Sequence, residues 1–417
     1  MLSRRHTLQI PGPSPVPDRI REAIGRQVID HRGPDFARLT MEVLDRSKRI
    51  FQTGGPVVIF PSSGTGAWEA AVVNTLSPGD RVVLAETGHF SSLWKKLVEK
   101  WGVVVDYVAG DWRRGADLDG IEQLLTADRG HEIKAVMVVH NETSTGAVSD
   151  VRGVREVLDR ASHPALLLVD AISSLGCVEL RHDEWGVDVT ISCSQKGLML
   201  PPGLGLLAIS EKALAASLVN RLPRSYWDWS VMLESNATGF FPYTPATNLL
   251  YGLREATAML LDEGLDAVFE RHLKLAAATR EAVLGWGFEI LCADPTAHSP
   301  VLTAVVLPDG HDADRFREVA LAKFNISLGT GLGKLKGRVF RIGHLGDCDS
   351  VALLGVLGGI EAALAAADVP HERRGVGRAI RYLERGAGQS VKSAAVESAN
   401  AEAIVDQLRR TGICDAV

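Results

Sequence analysis

Residues 166–176 of the chain read LLLVDAISSLG. The four apolar residues before Asp170 have no polar interruption, which is typical of a parallel strand buried on both faces of a sheet. Stretches with helical spacing, such as residues 91–101 and 151–161, separate several runs of this kind. The other short apolar runs lie at residues 57–60, 82–85, 103–105, 135–139 and 187–191. The alternation predicts an α/β fold with a doubly wound, mostly parallel sheet.

The pattern changes after about residue 262. A long helix is predicted near residues 264–285, and short strands and further helices follow it, which indicates a smaller α+β domain. Four prolines between residues 11 and 17 exclude a helix near the start of the chain. We therefore divide the chain into an N-terminal arm (1–20), a large domain (21–262), a smaller C-terminal domain (263–372) and a peripheral helix with a tail (373–417).

The composition of the 417 residues is that of an ordinary soluble globular protein, with 46% hydrophobic and 23% charged residues. A formal net charge of −6 offers no basic field for nucleic acid or for an acidic membrane. The five cysteines are scattered without a CxxC pair, which argues against a disulfide framework and a zinc site. No apolar run reaches the roughly 18 residues that a membrane span needs. We expect a cytoplasmic protein with no bound metal and no nucleic-acid or membrane partner.

Lys196 stands in the sequence SQKG (residues 194–197), just after the apolar run at residues 187–191. A lysine at the mouth of a buried strand is costly to desolvate, and a partly desolvated amine can lose its proton and attack a carbonyl carbon. The alternative is a lysine on a solvated loop. The residues around Lys196 do not decide between the two.

Asp170 ends its apolar run, and open α/β sheets bind ligands at the carboxyl ends of their strands. A carboxylate there could pair with a protonated ring nitrogen. The simpler alternative is that Asp170 caps the following helix.

Residues 60–69 read FPSSGTGAWE, a predicted strand followed by a glycine- and serine-rich loop and a helix. Backbone amides, a hydroxyl group and the positive end of a helix together form a cradle for phosphate. The loop is not a dinucleotide-binding fingerprint, because Glu69 stands where the third glycine is required. A glycine loop alone is weak support for any ligand.

The three features together are more specific. A phosphate cradle, an aspartate at a strand end and a lysine at the next strand end match the three chemical needs of pyridoxal 5′-phosphate (PLP). The cofactor carries a phosphate, a pyridine nitrogen that requires an anion and an aldehyde that requires a lysine.

The sequence resembles the class V (fold-type I) PLP-dependent aminotransferases, in particular the serine–glyoxylate and alanine–glyoxylate aminotransferase group. The resemblance covers about residues 8–385 and rests on several motifs in one order. These motifs are residues 11–14, 29–32, 63–69, 140–146, 170–176, 194–197 with 201–203, 243–245 and 339–343.

The resemblance implies a fold-type I PLP-transferase with a mostly parallel seven-stranded sheet in the large domain, and a role for each matching residue. Lys196 would form the Schiff base with PLP, and Asp170 would pair with its pyridinium nitrogen, so these two are the expected catalytic residues. Gly12 and Arg341 would bind the substrate, with Arg341 holding its α-carboxylate. The implied cofactor contacts are Thr65, Gly66, Ala67, Phe90, Thr143, Asp170, Ile172, Gln195, Lys196 and Thr244.

Thr244 would reach the cofactor of a neighbouring subunit, so the resemblance also implies a homodimer with active sites at the interface. Two positions depart from the family pattern. Phe241 stands where relatives often have tyrosine, and Ala67 stands where some have histidine. A phosphate contact made by that tyrosine is therefore either missing here or supplied by Tyr243.

The expected reaction is ping-pong transfer of an amino group from a small L-amino acid, with serine favoured, to glyoxylate, which gives glycine and an oxo acid. Aspartate and alanine remain alternative donors. A PLP-dependent lyase or cysteine desulfurase is a further alternative, for which Cys348 is the candidate cysteine.

Overall fold

The computed structural model describes residues 6–385, so the part of the predicted tail after Arg385 lies outside the described residues. In chain order, the strands are β1 (Thr7–Gln9), β2 (Val57–Ser62), β3 (Arg81–Ala85), β4 (Val104–Val108), β5 (Ile133–Val139), β6 (Asn141–Glu142), β7 (Ala147–Val148), β8 (Leu166–Asp170), β9 (Val189–Cys193), β10 (Gly203–Ile209), β11 (Glu289–Ile290), β12 (Leu302–Val306), β13 (Ile326–Thr330) and β14 (Val339–Gly343).

The helices, again in chain order, are α1 (Asp18–Ile24), α2 (Pro34–Phe51), α3 (Gly64–Thr75), α4 (His89–Lys100), α5 (Leu118–Ala127), α6 (Val151–Arg160), α7 (Glu211–Val219), α8 (Trp229–Asn236), α9 (Thr247–Glu263), α10 (Leu265–Gly285), α11 (Ala313–Phe324), α12 (Ser350–Ala366) and α13 (Gly375–Arg385). Within residues 6–385, no helix is both long and apolar enough to cross a lipid bilayer.

A seven-stranded sheet forms the centre of the larger part of the molecule. Its strand order is β2-β10-β9-β8-β5-β3-β4. Only β10 runs antiparallel to its neighbours β2 and β9, and all the other pairs are parallel. This sheet confirms the predicted α/β fold with a mostly parallel seven-stranded sheet.

Both faces of this sheet are buried, which explains the apolar runs in the sequence. Along β2, Val57 and Ile59 belong to one hydrophobic cluster, whereas Val58 and Phe60 belong to the cluster on the opposite face. Successive side chains of a strand point to opposite faces, so a sheet covered on both sides requires an apolar residue at every position.

A second sheet has the order β1-β13-β14-β12-β11 and is mainly antiparallel. Its helices α10, α11 and α12 pack on it through a separate apolar cluster that includes Phe316, Phe340 and Leu357. The edge strand β1 pairs in parallel with β13 and belongs to the N-terminal segment. The segment that follows β1 then passes beside the loop after β9, because Ser14 N–H donates to the carbonyl oxygen of Gln195 (3.0 Å). The domain boundaries given above stay a prediction.

Candidate active site

A cavity of about 150 Å³ lies at the carboxyl ends of the central strands of the large sheet. Strands β2, β5, β8 and β9 all point their carboxyl ends to this edge, which is where open α/β sheets bind ligands. The residues that line the cavity are Ser63, Gly64, Thr65, Trp68, Phe90, Val139, Asn141, Thr143, Asp170, Ile172, Ser173, Gln195 and Lys196.

Asp170 is the last residue of β8, and its carboxylate is buried. Its Oδ1 accepts a hydrogen bond from Ile172 N–H (2.7 Å), and its Oδ2 accepts one from the indole Nε1–H of Trp68 (3.1 Å). Burial raises the pKa of Asp170 to about 7, although these two hydrogen bonds favour the charged form. A cationic group bound in the cavity would therefore pair with a carboxylate whose orientation is fixed and which is poorly solvated.

Lys196 reaches the cavity from the loop after β9. Its Nζ donates a hydrogen bond to the carbonyl oxygen of Pro11 (2.7 Å), which belongs to the N-terminal segment. Burial lowers the pKa of the Lys196 ammonium, and the positive charge of Arg341 lowers it further. Such an amine can become neutral and nucleophilic at lower pH than an exposed lysine.

Gly12 packs directly against Lys196. The backbone at Gly12 has φ +96°, and a Cβ placed there would overlap Cδ, Cε and Nζ of Lys196. The segment is held in place by Ser14, whose hydroxyl donates to the carbonyl oxygen of Lys196 (2.8 Å). The predicted substrate-binding residue Gly12 is thus beside the cavity, and only a glycine leaves room there.

The N-terminus of α3 forms one wall of the cavity. Ser63 precedes the helix as its N-cap, and Thr65 lies exposed at the rim. Free N–H groups in the first turn of a helix, together with the helix dipole, favour an anion. Ala67 is directed away from the cavity: its N–H donates to the carbonyl oxygen of Ser63, and a Cβ on Gly205 of β10 would lie 3.1 Å from its own.

Ile172 after β8 and Phe90 in the first turn of α4 are two of the apolar side chains that line the cavity. The buried carboxylate of Glu142 accepts hydrogen bonds from the N–H groups of Phe90 and Ser91 (both 3.1 Å to Oε2). It also accepts from Ser144 N–H (3.0 Å to Oε1). Glu142 therefore fixes the start of α4, and with it Phe90, against the segment that carries Thr143.

Arg341 lies on β14 of the second sheet and is 8% exposed. Its Nη1 donates to the carbonyl oxygen of Thr143 (2.6 Å), and its Nε donates to the carbonyl oxygen of Thr330 (2.7 Å). Burial lowers the pKa of Arg341 to about 10, so the guanidinium stays charged at neutral pH. Two carbonyl partners fix its plane, and a guanidinium has five N–H donors in all.

Seven of the predicted site residues line the cavity: Thr65, Phe90, Thr143, Asp170, Ile172, Gln195 and Lys196. Gly12 and Arg341 each contact a residue that lines it, Gly66 and Ala67 continue α3 behind the rim, and Thr244 lies exposed on a loop. Sequence reasoning gave no role to Trp68, Asn141 or Ser173. Trp68 and Asn141 lie inside two motifs of the family resemblance, residues 63–69 and 140–146, and this position was the signal that could have identified them.

His344, His140 and Cys348 lie outside the cavity lining. Burial lowers the pKa of His344 to about 3, and this histidine interacts with Pro300 and Thr303. His140 Nδ1 interacts with the hydroxyl of Ser174 (2.9 Å), and burial lowers its pKa to about 4. Burial raises the pKa of the Cys348 thiol to about 11, which disfavours the thiolate that a desulfurase requires.

The residues around the cavity fit pyridoxal 5′-phosphate. Asp170 would supply the anion for a protonated pyridine nitrogen, Lys196 would supply the amine, and the start of α3 would supply the anion-binding end. In addition, Gln195 Oε1 and Asn141 Oδ1 are buried without a hydrogen-bond partner within residues 6–385. Buried polar atoms are normally paired, so two unpaired acceptors at one cavity indicate a polar ligand.

The sequence matches the profile of the family described as aminotransferase class-V over residues 22–334. Among curated relatives, a serine–glyoxylate aminotransferase of Methylorubrum extorquens is 47% identical over 366 residues, which covers 86% of this chain and 91% of the relative. An L-aspartate–glyoxylate aminotransferase of Paracoccus denitrificans is 43% identical over 357 residues, which covers 85% and 90% respectively.

Solved structures agree with the sequence comparison. The alanine–glyoxylate aminotransferase of Nostoc sp. superposes with a TM-score of 0.82 at 30% identity and covers 87% of this chain and 96% of its own. The pyridoxamine–pyruvate aminotransferase of Mesorhizobium loti has a TM-score of 0.86 at 25% identity, with 93% and 99% covered. The chain therefore belongs to the class V aminotransferases and is a PLP-dependent transaminase.

Proposed function

We propose that this enzyme transfers an amino group from a small L-amino acid, with serine favoured, to glyoxylate, and so forms glycine and an oxo acid. The two substrates occupy one site in turn, as a ping-pong reaction requires. The observation that carries the proposal is the single fixed guanidinium of Arg341 next to the cavity that contains Lys196 and Asp170. A guanidinium that can hold one carboxylate by two parallel hydrogen bonds suits small amino and oxo acids.

The residues that would hold the cofactor follow from the geometry. Ser63, Thr65 and the first turn of α3 would bind the phosphate, and Asp170 would bind the pyridine nitrogen. Thr143 and Gln195 would hydrogen-bond groups of the ring, and Ile172 and Phe90 would contact it on its apolar sides. When bound, PLP supplies an electron sink for the negative charge left on the substrate Cα.

Lys196 does the proton transfer. Its Nζ would accept the proton that leaves the substrate Cα and return it to the cofactor within the same half-reaction, and the two transfers would run in reverse when glyoxylate is the substrate. General acid–base catalysis of this kind contributes about 10²–10⁴ in rate. The lowered pKa of Lys196 makes the neutral, accepting form available, and Pro11 and Gly12 restrict where the amine can move.

Arg341 binds the substrate α-carboxylate and excludes other orientations. Its planar fork allows two parallel hydrogen bonds to a carboxylate, and its burial strengthens them. The relatives support the substrate assignment, because the name of the Methylorubrum extorquens enzyme gives serine and glyoxylate, and that of the Paracoccus denitrificans enzyme gives L-aspartate and glyoxylate. Glyoxylate is common to both names, so the acceptor is assigned more firmly than the donor.

A homodimer with active sites at the interface is part of the proposal. The exposed Thr65 at the cavity rim also lines a groove between α3 and α4. Its apolar part includes Leu93, Leu97 and Trp101, and its charged part is Glu69, Lys96, Glu99 and Lys100. A second copy covering this groove would close the cavity, and Thr244 is exposed and available to a neighbouring subunit. Light scattering should give twice the 44.8 kDa chain mass, and a monomer with full activity would contradict this arrangement.

A cytoplasmic location is proposed from the scattered cysteines.

Substitution of the lysine tests the assignment of Lys196. We expect Lys196→Ala to lose the borohydride-reducible linkage to the cofactor and to lose turnover by about 10³-fold or more. Lys212→Ala is the matched control, because Lys212 also donates to a backbone carbonyl, that of Ala165, but lies outside the cavity lining. Full turnover and a reducible linkage in Lys196→Ala would refute the proposed role.

Substitution of the arginine tests the carboxylate clamp. Arg341→Lys should raise KM for both the amino acid and glyoxylate by about tenfold or more, since a bidentate charged interaction is lost. Arg317→Lys is the control, because the Nε of Arg317 likewise donates to a backbone carbonyl of β13, that of Leu328 (2.8 Å). Equal KM changes in the two variants would exclude a specific clamp at Arg341.

A half-reaction scan identifies the donor. Holoenzyme is mixed with serine, alanine or aspartate at equal concentration, and the loss of the visible absorbance of the bound cofactor is followed. We expect serine to react fastest. A faster reaction with aspartate would replace serine as the donor and would leave the transaminase assignment intact.

A further inference from the structure

We propose that Trp68 is a positioning residue of the reaction, which holds the Asp170 carboxylate in place through its indole N–H and so strengthens cofactor binding. Trp68 also lines the cavity, but the proposed role is exerted through Asp170 and rests on the cofactor-binding role proposed above for that carboxylate.

The contact itself is a buried hydrogen bond to a charged group. Trp68 is 3% exposed, and its Nε1 lies 3.1 Å from Oδ2 of Asp170. The other carboxylate oxygen is already held by Ile172 N–H. Two donors on different oxygens fix the plane of the carboxylate, and both favour its ionised form.

The surroundings of Trp68 keep its ring from turning away. The indole stacks on Trp94 of α4, with ring centroids 5.7 Å apart and planes within 14°. Trp94 lies one helical turn after Phe90, so the stack joins α3, which begins at the anion-binding end, to the helix that carries Phe90. The indole N–H of Trp68 is therefore aimed at Asp170 by the packing of two helices.

Packing alone does not explain why the indole N–H of Trp68 has a hydrogen-bond partner. The indole Nε1 of Trp94, in the same stack, is buried without a hydrogen-bond partner within residues 6–385. The stack thus tolerates an unpaired N–H, whereas the N–H of Trp68 is directed at the one carboxylate in the cavity lining. The chain supplies a matched pair of tryptophans, one with the hydrogen bond to Asp170 and one without it.

The pair defines the experiment. Trp68→Phe and Trp94→Phe remove the same atoms from the same stack, but only the first removes a donor to Asp170. We expect the dissociation constant for PLP, measured by equilibrium dialysis, to rise about tenfold in Trp68→Phe, the factor that corresponds to loss of a hydrogen bond to a charged group. Trp94→Phe should change it by less than about threefold, in line with a stability effect that does not act on the carboxylate.

Asp170→Asn completes a double-mutant cycle. In that background Trp68→Phe should have little further effect on PLP affinity, because the charge on which the indole acts is gone. Equal effects of the two tryptophan variants, or an unchanged effect of Trp68→Phe in the Asp170→Asn protein, would overturn the inference. If Asp170→Asn itself bound PLP like the wild type, the proposed role of Asp170 would fail instead.

A second measurement applies if Trp68→Phe does not fold. Burial raises the pKa of Asp170 to about 7, with the charge of Glu142 raising it and that of Lys196 lowering it. In cofactor-free protein, one tryptophan indole N–H resonance should therefore titrate near neutral pH in the wild type and in Trp94→Phe but not in Asp170→Asn. The absence of any such difference would also overturn the inference.

Discussion

Gly12 and Lys196 show how a residue without a side chain can constrain the position of the proposed catalytic amine. A Cβ at Gly12 would occupy the space of the lysine side chain, and the backbone there has φ +96°. The packing of Gly12 is therefore a constraint on the position of the amine, in addition to a constraint on the backbone.

We predict that Gly12→Ala abolishes most of the activity. A displacement of Lys196 by about 1 Å costs on the order of 10²-fold in rate, and the PLP absorbance of the holoenzyme should change with it. Gly79→Ala is the control, because Gly79 has a similar φ of +87° and no atom within 4 Å of an added Cβ. The control should lose about 1 kcal/mol of unfolding free energy from backbone strain and retain its kcat. A similar loss of kcat in both variants would contradict the steric explanation.

At this scale, the sequence predicted the residues that follow strand ends. Lys196 and Asp170 were found because each stands just after or at the end of an apolar run. The contact between Trp68 and Asp170 could not be found in this way, since it depends on helix α3 lying over the end of β8. The interaction between Arg341 and Thr143 likewise joins residues from two different sheets.

At the scale of elements, the start of α4 depends on a side chain from outside the helix. The N-cap position is Gly88, which has no side chain to accept from the first turn, and Glu142 accepts from Phe90 and Ser91 in its place. A Cβ at Gly88 would overlap the side chains of Ser144 and Glu142, so the glycine makes room for this carboxylate.

We predict that Glu142→Gln lowers both stability and cofactor affinity. An amide has one acceptor oxygen, so part of the buried N–H set around Glu142 loses its partner, at a cost of about 2 kcal/mol in unfolding free energy. PLP affinity should fall as well, because Phe90 lies in the first turn of the helix that loses its cap.

The control is Asp349→Asn, at the N-cap of α12, where Oδ1 accepts from Ala352 N–H (2.8 Å). That change alters a helix cap remote from the cavity and should leave PLP affinity unchanged. Denaturant unfolding and equilibrium dialysis measure the two effects. Unchanged PLP affinity in Glu142→Gln would show that the capping of α4 does not affect cofactor binding.

Strand β10 shows why one element of the large sheet was not predicted. Its sequence, GLGLLAI, contains two glycines and lacks the β-branched run of its neighbours. An added Cβ on Gly205 would lie 3.0 Å from the carbonyl oxygen of Ser63 and 3.1 Å from Cβ of Ala67. The strand is poor in large side chains because α3 packs closely against it, and this packing is not visible in a local pattern.

At the scale of the whole molecule, the buried histidines contribute to the loss of stability in acid. Burial lowers the pKa values of His140, His182 and His272 to about 4. Between pH 6.5 and 4 the unfolded chain binds protons that the folded chain does not, so the free energy of unfolding falls as the pH falls. Each such histidine contributes about 1.4 kcal/mol per pH unit across that window. Asp170, with a raised pKa, contributes in the opposite direction in cofactor-free protein.

We predict that His182→Gln makes the protein less sensitive to acid. His182 is fully buried and interacts with Thr190 Oγ1 (2.7 Å), outside the cavity lining. The free energy of unfolding, measured with urea between pH 7 and 5, should fall less steeply with pH in this variant than in the wild type. The difference in slope should correspond to about one proton taken up on unfolding. Thr279→Val, which removes a buried hydroxyl that donates to the carbonyl oxygen of Leu275 (2.9 Å) and removes no titratable group, is the control and should keep the wild-type slope. Identical slopes in both variants would exclude His182 as a titrating group.

The fold class at this scale was predictable because the apolar runs are long enough to require a covered sheet. The attachment of β1 to the second sheet was not, since residues 7–9 and 326–330 are far apart in sequence and carry no shared pattern. The prolines after residue 10 indicated only that the segment is not helical.

The N-terminal segment forms the edge strand of the second sheet and also contacts the amine of Lys196. Residues 7–9 form the edge of one sheet, and within three residues the chain reaches the carbonyl oxygen of Pro11 that accepts from the Lys196 amine. A ligand that draws the amine from Pro11 would remove one hydrogen bond that holds the segment after β1. Amide exchange with deuterated solvent along β1 and β13 should therefore respond to occupancy of the site, which would give a readout of binding that needs neither turnover nor a chromophore.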